Sequence, residues 1–156
     1  MSRKSNNSAM NNLVERLNSN LLDNKLSKSV TFVAATTGKF ATGTFKIADV
    51  TGIVAVQVFA TCGVNLVSAG GGTLEVGTAL STAALIAQTT ATDLDANEIW
   101  HDATPDSSIE LTTVLTHKMV TQDINYKIGT ADISAGAVTF YILWSPISDD
   151  GNVVIA

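Results

Sequence analysis

The chain has 156 residues, of which 46% are hydrophobic, and a formal net charge of −5, enough for one domain with its own core plus an extension. A single cysteine, Cys62, excludes an intrachain disulfide framework, and no stretch approaches the roughly 20 apolar residues needed to cross a bilayer. Charge is unevenly spread: residues 1–29 carry +3 and the remainder −8, so the body is poorly suited to nucleic acid, which is bound by displacing phosphate counterions with lysine and arginine. The basic leader is suited instead to an acidic protein surface.

Residues 1–12 are rich in Ser and Asn without periodicity, a composition that cannot bury enough apolar area to offset its ordering entropy. They are basic, but no long apolar segment follows, so they do not read as a secretory signal. Leu13, Leu17 and Leu21 then recur at i+4, with Leu22 and Leu26 one position round. That spacing predicts an apolar stripe on a helix of about 14 residues, marginal by itself in water. The stripe either packs on its own domain or serves as an arm docking on a neighbouring subunit, and a body with its own core favours the arm. The expected organisation is therefore an N-terminal arm over residues 1–29 and a β domain over residues 30–156.

From Val30 the pattern turns to β, helped by 20 threonines, which prefer pleated, half-buried positions. Val30–Ala35 and Phe40–Ile47 are expected strands, separated by a turn at Thr36-Thr37-Gly38. Val56, Val58, Ala60, Cys62 and Val64 alternate with wetter positions and predict a central strand, in which Cys62 is read as an inert core thiol. Ser68–Gly72 reads as a turn, since neither P-loop nor dinucleotide spacing accompanies its glycines, and Leu74–Gly77 resumes the β pattern. Ala79–Gln88 is ambiguous between helix and strand and is taken as β. The alternation of Ile109, Leu111, Leu115 and Met119 predicts a further strand. Ile124, Tyr126 and Ile128, followed by Val138, Phe140, Ile142 and Trp144, read as a hairpin, and an apolar tail, Val153–Ile155, follows the turn at Asp149–Asn152. About eight short strands with turn signals between them predict an all-β sandwich, with jelly-roll and Greek-key orders both open.

Any site chemistry is expected around Asn97–Asp106. Asp93, Asp95, Glu98, His101 and Asp102 place five candidate ligands close together, but their spacing fits neither an EF-hand loop nor a zinc signature. The stretch is read as a solvated acidic loop with no metal, and no cofactor is expected. His101 and His117 have no accompanying nucleophile motif, and no nucleophile, base and orienting group can be assembled; the chain is read as having no enzymatic role. Trp100 is read mainly as a domain anchor, with a sugar platform or partner contact as its alternative.

The run from Thr73 onward, through Ala84-Leu85-Ile86-Ala87-Gln88-Thr89-Thr90-Ala91-Thr92-Asp93, Glu98-Ile99-Trp100-His101-Asp102 and Phe140–Trp144 to Asp150-Gly151-Asn152-Val153-Val154, resembles small virion proteins of tailed bacteriophages. The resemblance implies a virion structural protein made in the host cytoplasm. It points first to capsid decoration, binding the major capsid protein or other virion proteins, with self-association, for example as a trimer, and no nucleic-acid or membrane partner. The contact residues expected are Leu13, Leu17, Leu21, Leu22 and Leu26 of the leader, together with Trp100. The rival readings are a tail or fibre module that binds host-surface glycan and a cell-wall hydrolase.

Overall fold

The computed structural model of the chain describes residues 22–35 and 40–156. It is almost entirely antiparallel β-structure: β1 (Asn24–Val33), β2 (Gly43–Thr51), β3 (Val54–Val67), β4 (Thr73–Gly77), β5 (Ile86–Thr90), β6 (Ile99–Trp100), β7 (Lys118–Val120), β8 (Ile124–Gly129), β9 (Ala135–Pro146) and β10 (Asn152–Ile155), with single 3₁₀ turns at Ala91–Asp93 and Thr112–Val114. No helix among the described residues is long and apolar enough to cross a membrane.

Two sheets form the sandwich. One runs β1-β9-β3-β6, with β7 also paired to β3; the other runs β10-β2-β8-β4-β5. Taking β6 and β7 as one interrupted strand and leaving β10 aside, the chain passes from sheet to sheet at every connection except β4 to β5. That is jelly-roll order, one of the two orders left open by the strand pattern. The expected all-β sandwich is therefore present, and β3 is central: β9 pairs along one of its edges while β6 and β7 pair with its other edge.

The reason is alternation. In β3, Val54, Val56, Val58, Ala60 and Cys62 are buried. Their neighbours in register on β9, Val138, Phe140 and Ile142, face the same core. Ile124, Tyr126 and Ile128 of β8 and Leu74 and Val76 of β4 close it from the second sheet. Tyr126 sits at the centre, stacked on Phe140 at 5.3 Å between centroids and edge-on to Phe32 at 6.3 Å, so its ring joins both sheets. Burial pushes its hydroxyl up to about 12, as expected when low dielectric disfavours the phenolate. Each fully buried aliphatic or aromatic side chain contributes about 1.5–3 kcal/mol relative to exposure.

Several expectations from the sequence need correction. The first strand begins at Asn24, not Val30, so the boundary at residues 29 and 30 falls inside β1, and Leu26 is a strand residue packed against the core. Its even-numbered alternation with Val30 and Phe32 is interrupted by Lys28, which hides the pattern. The Lys28 ammonium escapes the apolar interior by donating to the carbonyls of Lys46 and Ala156, both at 2.8 Å. Leu22 precedes β1 in neither helix nor strand and is half-buried. Leu13, Leu17, Leu21 and the turn at Thr36–Gly38 lie outside the described residues.

The β8–β9 hairpin does not form. β8 pairs with β2 and β4, whereas β9 pairs with β1 and β3; the connection crosses between sheets, and Ile133, fully buried, caps the core on the way. β9 then enters at Gly136, whose φ of +113° disfavours any side chain and whose added Cβ would stand 2.5 Å from Leu66 Cδ2 and 2.6 Å from Asn65 O. Ala79–Leu85 forms turns and bends, with strand only from Ile86. Ile109–Leu115 is irregular apart from its 3₁₀ turn, and only Lys118–Val120 of that expected strand joins the sheet.

Candidate functional site

The segment between β6 and β7 leaves the edge of β3 and returns to it, and it carries the densest side-chain chemistry among the described residues. β6 pairs Trp100 with Ala60 and Ile99 with Thr61. Alternation therefore turns Trp100 into the core, where it is fully buried, and turns Ile99 and His101 the other way. This corrects the expectation of Trp100 as a contact residue or sugar platform: a side chain with no accessible surface meets no partner, and the domain-anchor reading is the one its burial supports.

Beyond His101 the chain folds back. Ile99 and Asp106 exchange backbone hydrogen bonds of 3.1 and 2.8 Å, and the Asp102 carboxylate accepts from Thr104 N at 2.8 Å, a local turn of the kind Asp favours. The fold-back sets Asp106 against the imidazole. His101 Nε2 lies 2.9 Å from Asp106 Oδ2 and 4.0 Å from Glu110 Oε2, and His101 Nδ1 lies 3.9 Å from Asp102 Oδ2.

Of the five candidate ligands suggested by the sequence, the structure brings together two, His101 and Asp102, and adds Asp106 and Glu110. The other three build turns. Asp95 accepts from Asn65 Nδ2 at 2.7 Å, Glu98 Oε2 accepts from Asp95 N at 2.9 Å, and Asp93 is the exposed last residue of a 3₁₀ turn. Asp106 and Glu110 were missed because their proximity to His101 depends on the Ile99–Asp106 bridge, which no spacing rule encodes. His117, the other histidine, is exposed and separate from this group.

An apolar surface adjoins the histidine. Ala55, Gln57 and Phe59 of β3 turn away from the core, and Phe59 stacks on Tyr141 of β9 at 4.9 Å with 12° between planes. Phe59, Ile99, Leu111, Val114 and Leu115 line a cleft of about 220 Å³ with Glu110 at its rim. Gln57 is buried beneath the returning loop and donates from Nε2 to Leu115 O at 3.1 Å. Ile109, Leu111 and Met119 are 84%, 70% and 75% exposed, far more than their chemistry favours, and Met119 lies opposite Ala55 on the same outer side. A second cleft, about 340 Å³, opens on the other side of His101, between Val58, Leu85, Ala87, Asp102 and Lys118; Lys118 Nζ closes across its rim onto Ala84 O. The arrangement can bind an apolar surface edged by cations.

No protein-family model matches the chain, and no curated protein matches it. Among solved structures, it is similar to a chain of the acidic stable capsid structure of Helicobacter pylori bacteriophage KHP30, with a TM-score of 0.35 and 12% identity over 84% of this chain and 100% of that one. Similarity at that level carries no functional argument, and the reading below rests on this chain's own residues.

Proposed function

We propose that the chain is a structural protein of a bacteriophage particle and that it works as a capsid decoration protein, binding the assembled shell. The observation that carries the reading is the exposure of three large apolar side chains in and after the returning loop, Ile109, Leu111 at the Phe59 cleft and Met119 on β7, because exposed apolar surface edged by charge marks an interaction site. The bacteriophage resemblance of residues 73–156 supplies the setting. The self-contained jelly-roll body supplies rigidity, and the leader, with its leucines and net positive charge, supplies a second contact. The partners in this reading are the major capsid protein or another virion protein, and further copies of the chain.

A ligand that binds only the assembled shell stabilises it by mass action, and two linked contacts raise effective affinity beyond either alone. Shells bearing the protein should therefore hold their DNA to higher temperature than shells lacking it, and added purified chain should restore the difference. The double variant Leu111→Asp, Met119→Asp should restore much less while its own stability stays within about 0.5 kcal/mol, the usual range for surface changes. Particles that lack the protein, remain equally robust and fail to adsorb to cells would replace this reading with a receptor-binding module.

A further inference from the structure

We infer that His101, Asp102 and Asp106, whose ligand atoms lie within 4.8 Å of one another, form a binding site for a divalent cation of the zinc class, with Glu110 beside it at 4.0 Å from the imidazole. The group is more than a collection of surface acids. The His101 side chain is only 10% exposed, and its Nε2 and the facing Asp106 Oδ2 are both buried without a hydrogen-bond partner among the described residues. The two atoms face each other at 2.9 Å without a well-formed hydrogen bond, so their desolvation is only partly offset. A cation bound to both offsets the rest.

The spacing suits such an ion. With metal–nitrogen and metal–oxygen bonds of about 2.0–2.1 Å, tetrahedral ligands stand about 3.3 Å from one another. The 2.9 Å from Nε2 to Asp106 is slightly shorter than that separation, and the ligand atoms of His101, Asp102 and Asp106 lie within 4.8 Å of one another, so side-chain adjustments on the order of 1 Å would complete the set. One imidazole and two carboxylates form a mixed nitrogen and oxygen donor set, which favours zinc or a similar first-row ion over magnesium or calcium. Asp102 Oδ2 lies 3.9 Å from Nδ1 on a largely exposed side chain, close enough for its carboxylate to serve as the third ligand.

Structurally, the ion would tie the end of β6 to Asp106 and thereby hold the intervening turn at residues 102–106. The site does not depend on the role proposed above, because it is measured on the isolated protein.

The test uses untagged full-length chain stripped of metal. Added cobalt, as a spectroscopic stand-in for zinc, should give visible ligand-field absorption that saturates at one ion per chain. Zinc at one hundred times its dissociation constant should raise the folding equilibrium constant about 100-fold, read as a higher melting temperature. Asp106→Asn and Asp102→Asn should each abolish the cobalt bands, and Glu110→Gln should weaken affinity by no more than about 10–100-fold, whereas His117→Gln should change nothing. The Asp102 side chain is largely exposed, so its variant keeps the test decisive even where His101→Gln fails to fold. Absence of cobalt absorption, bands that survive both carboxylate changes, or a melt that follows pH but ignores zinc would overturn the proposal and assign the His101–Asp106 contact to a proton instead.

Discussion

Tyr141 of β9 lies face to face with Phe59 of β3 on the outer side of the sandwich, with ring centroids 4.9 Å apart and planes 12° apart. The two residues are directly opposite in the antiparallel register, where cross-strand side chains interact most strongly. Aromatic pairs contribute about 0.5–1.5 kcal/mol beyond their area burial. A double-mutant cycle of Phe59→Ala and Tyr141→Ala, followed by urea denaturation, should yield a coupling energy in that range. Strictly additive effects would show that the stack is incidental and that the two rings serve only as surface for a partner.

Glu75 is a buried carboxylate at 5% exposure. Burial by itself raises its pKa, but hydrogen bonds from Thr82, Lys127 and Gln88 more than compensate and hold it below the usual glutamate value. A carboxyl group depressed in the folded state contributes stability above its unfolded pKa of about 4.3, and that contribution is lost as pH falls through the lower folded value. Acid titration of the melting temperature should therefore show a decline below about pH 4.3 that is shallower in Glu75→Gln than in the wild type. Identical acid limbs would mean that other carboxylates control the loss.

Cys62 should be chemically silent while the protein is folded. Burial pushes its thiol up, its side chain sits in the core at 2% exposure, and Sγ donates towards Val64 O at 3.2 Å. Since the thiolate is the reactive form, labelling by a thiol reagent at neutral pH should track global unfolding in denaturant. Rapid labelling of native protein would reveal local opening of β3 near its bulges at Cys62–Val67.

Trp100→Ala should cost about 3–5 kcal/mol, the range for large aromatic truncations in a core, because the ring is fully enclosed. The loss should appear in the midpoint of chemical denaturation. Trp100→Phe should retain most of the stability, since the indole Nε1 has no hydrogen-bond partner among the described residues. A small loss for the alanine variant would place Trp100 outside the cooperative core.

Sequence alone determined the local geometry of this protein. The two-residue alternation in Val56–Val64, in Ile124–Ile128 and in Val138–Trp144 identified β3, β8 and β9 and most of the faces they bury, because the pleat assigns successive side chains to opposite sides; it failed at Val64, which the register shift after Cys62 leaves 57% exposed. It also marked Cys62 and Trp100 as candidates for the interior. What the alternation could not specify was which strands pair, since pairing depends on contacts far apart in sequence; the apparent β8–β9 hairpin is two strands in different sheets. Tertiary structure likewise decided that Leu26 is a strand residue, because only the placement of Lys46 and Ala156 gives Lys28 an exit for its charge from the inward side of β1. It decided the candidate site for the same reason. His101, Asp102 and Asp106 converge because the Ile99–Asp106 bridge folds the chain back beside β3, and the exposure of Ile109 and Leu111 follows from the same loop, which leaves the ladder after β6 and rejoins it only at Lys118.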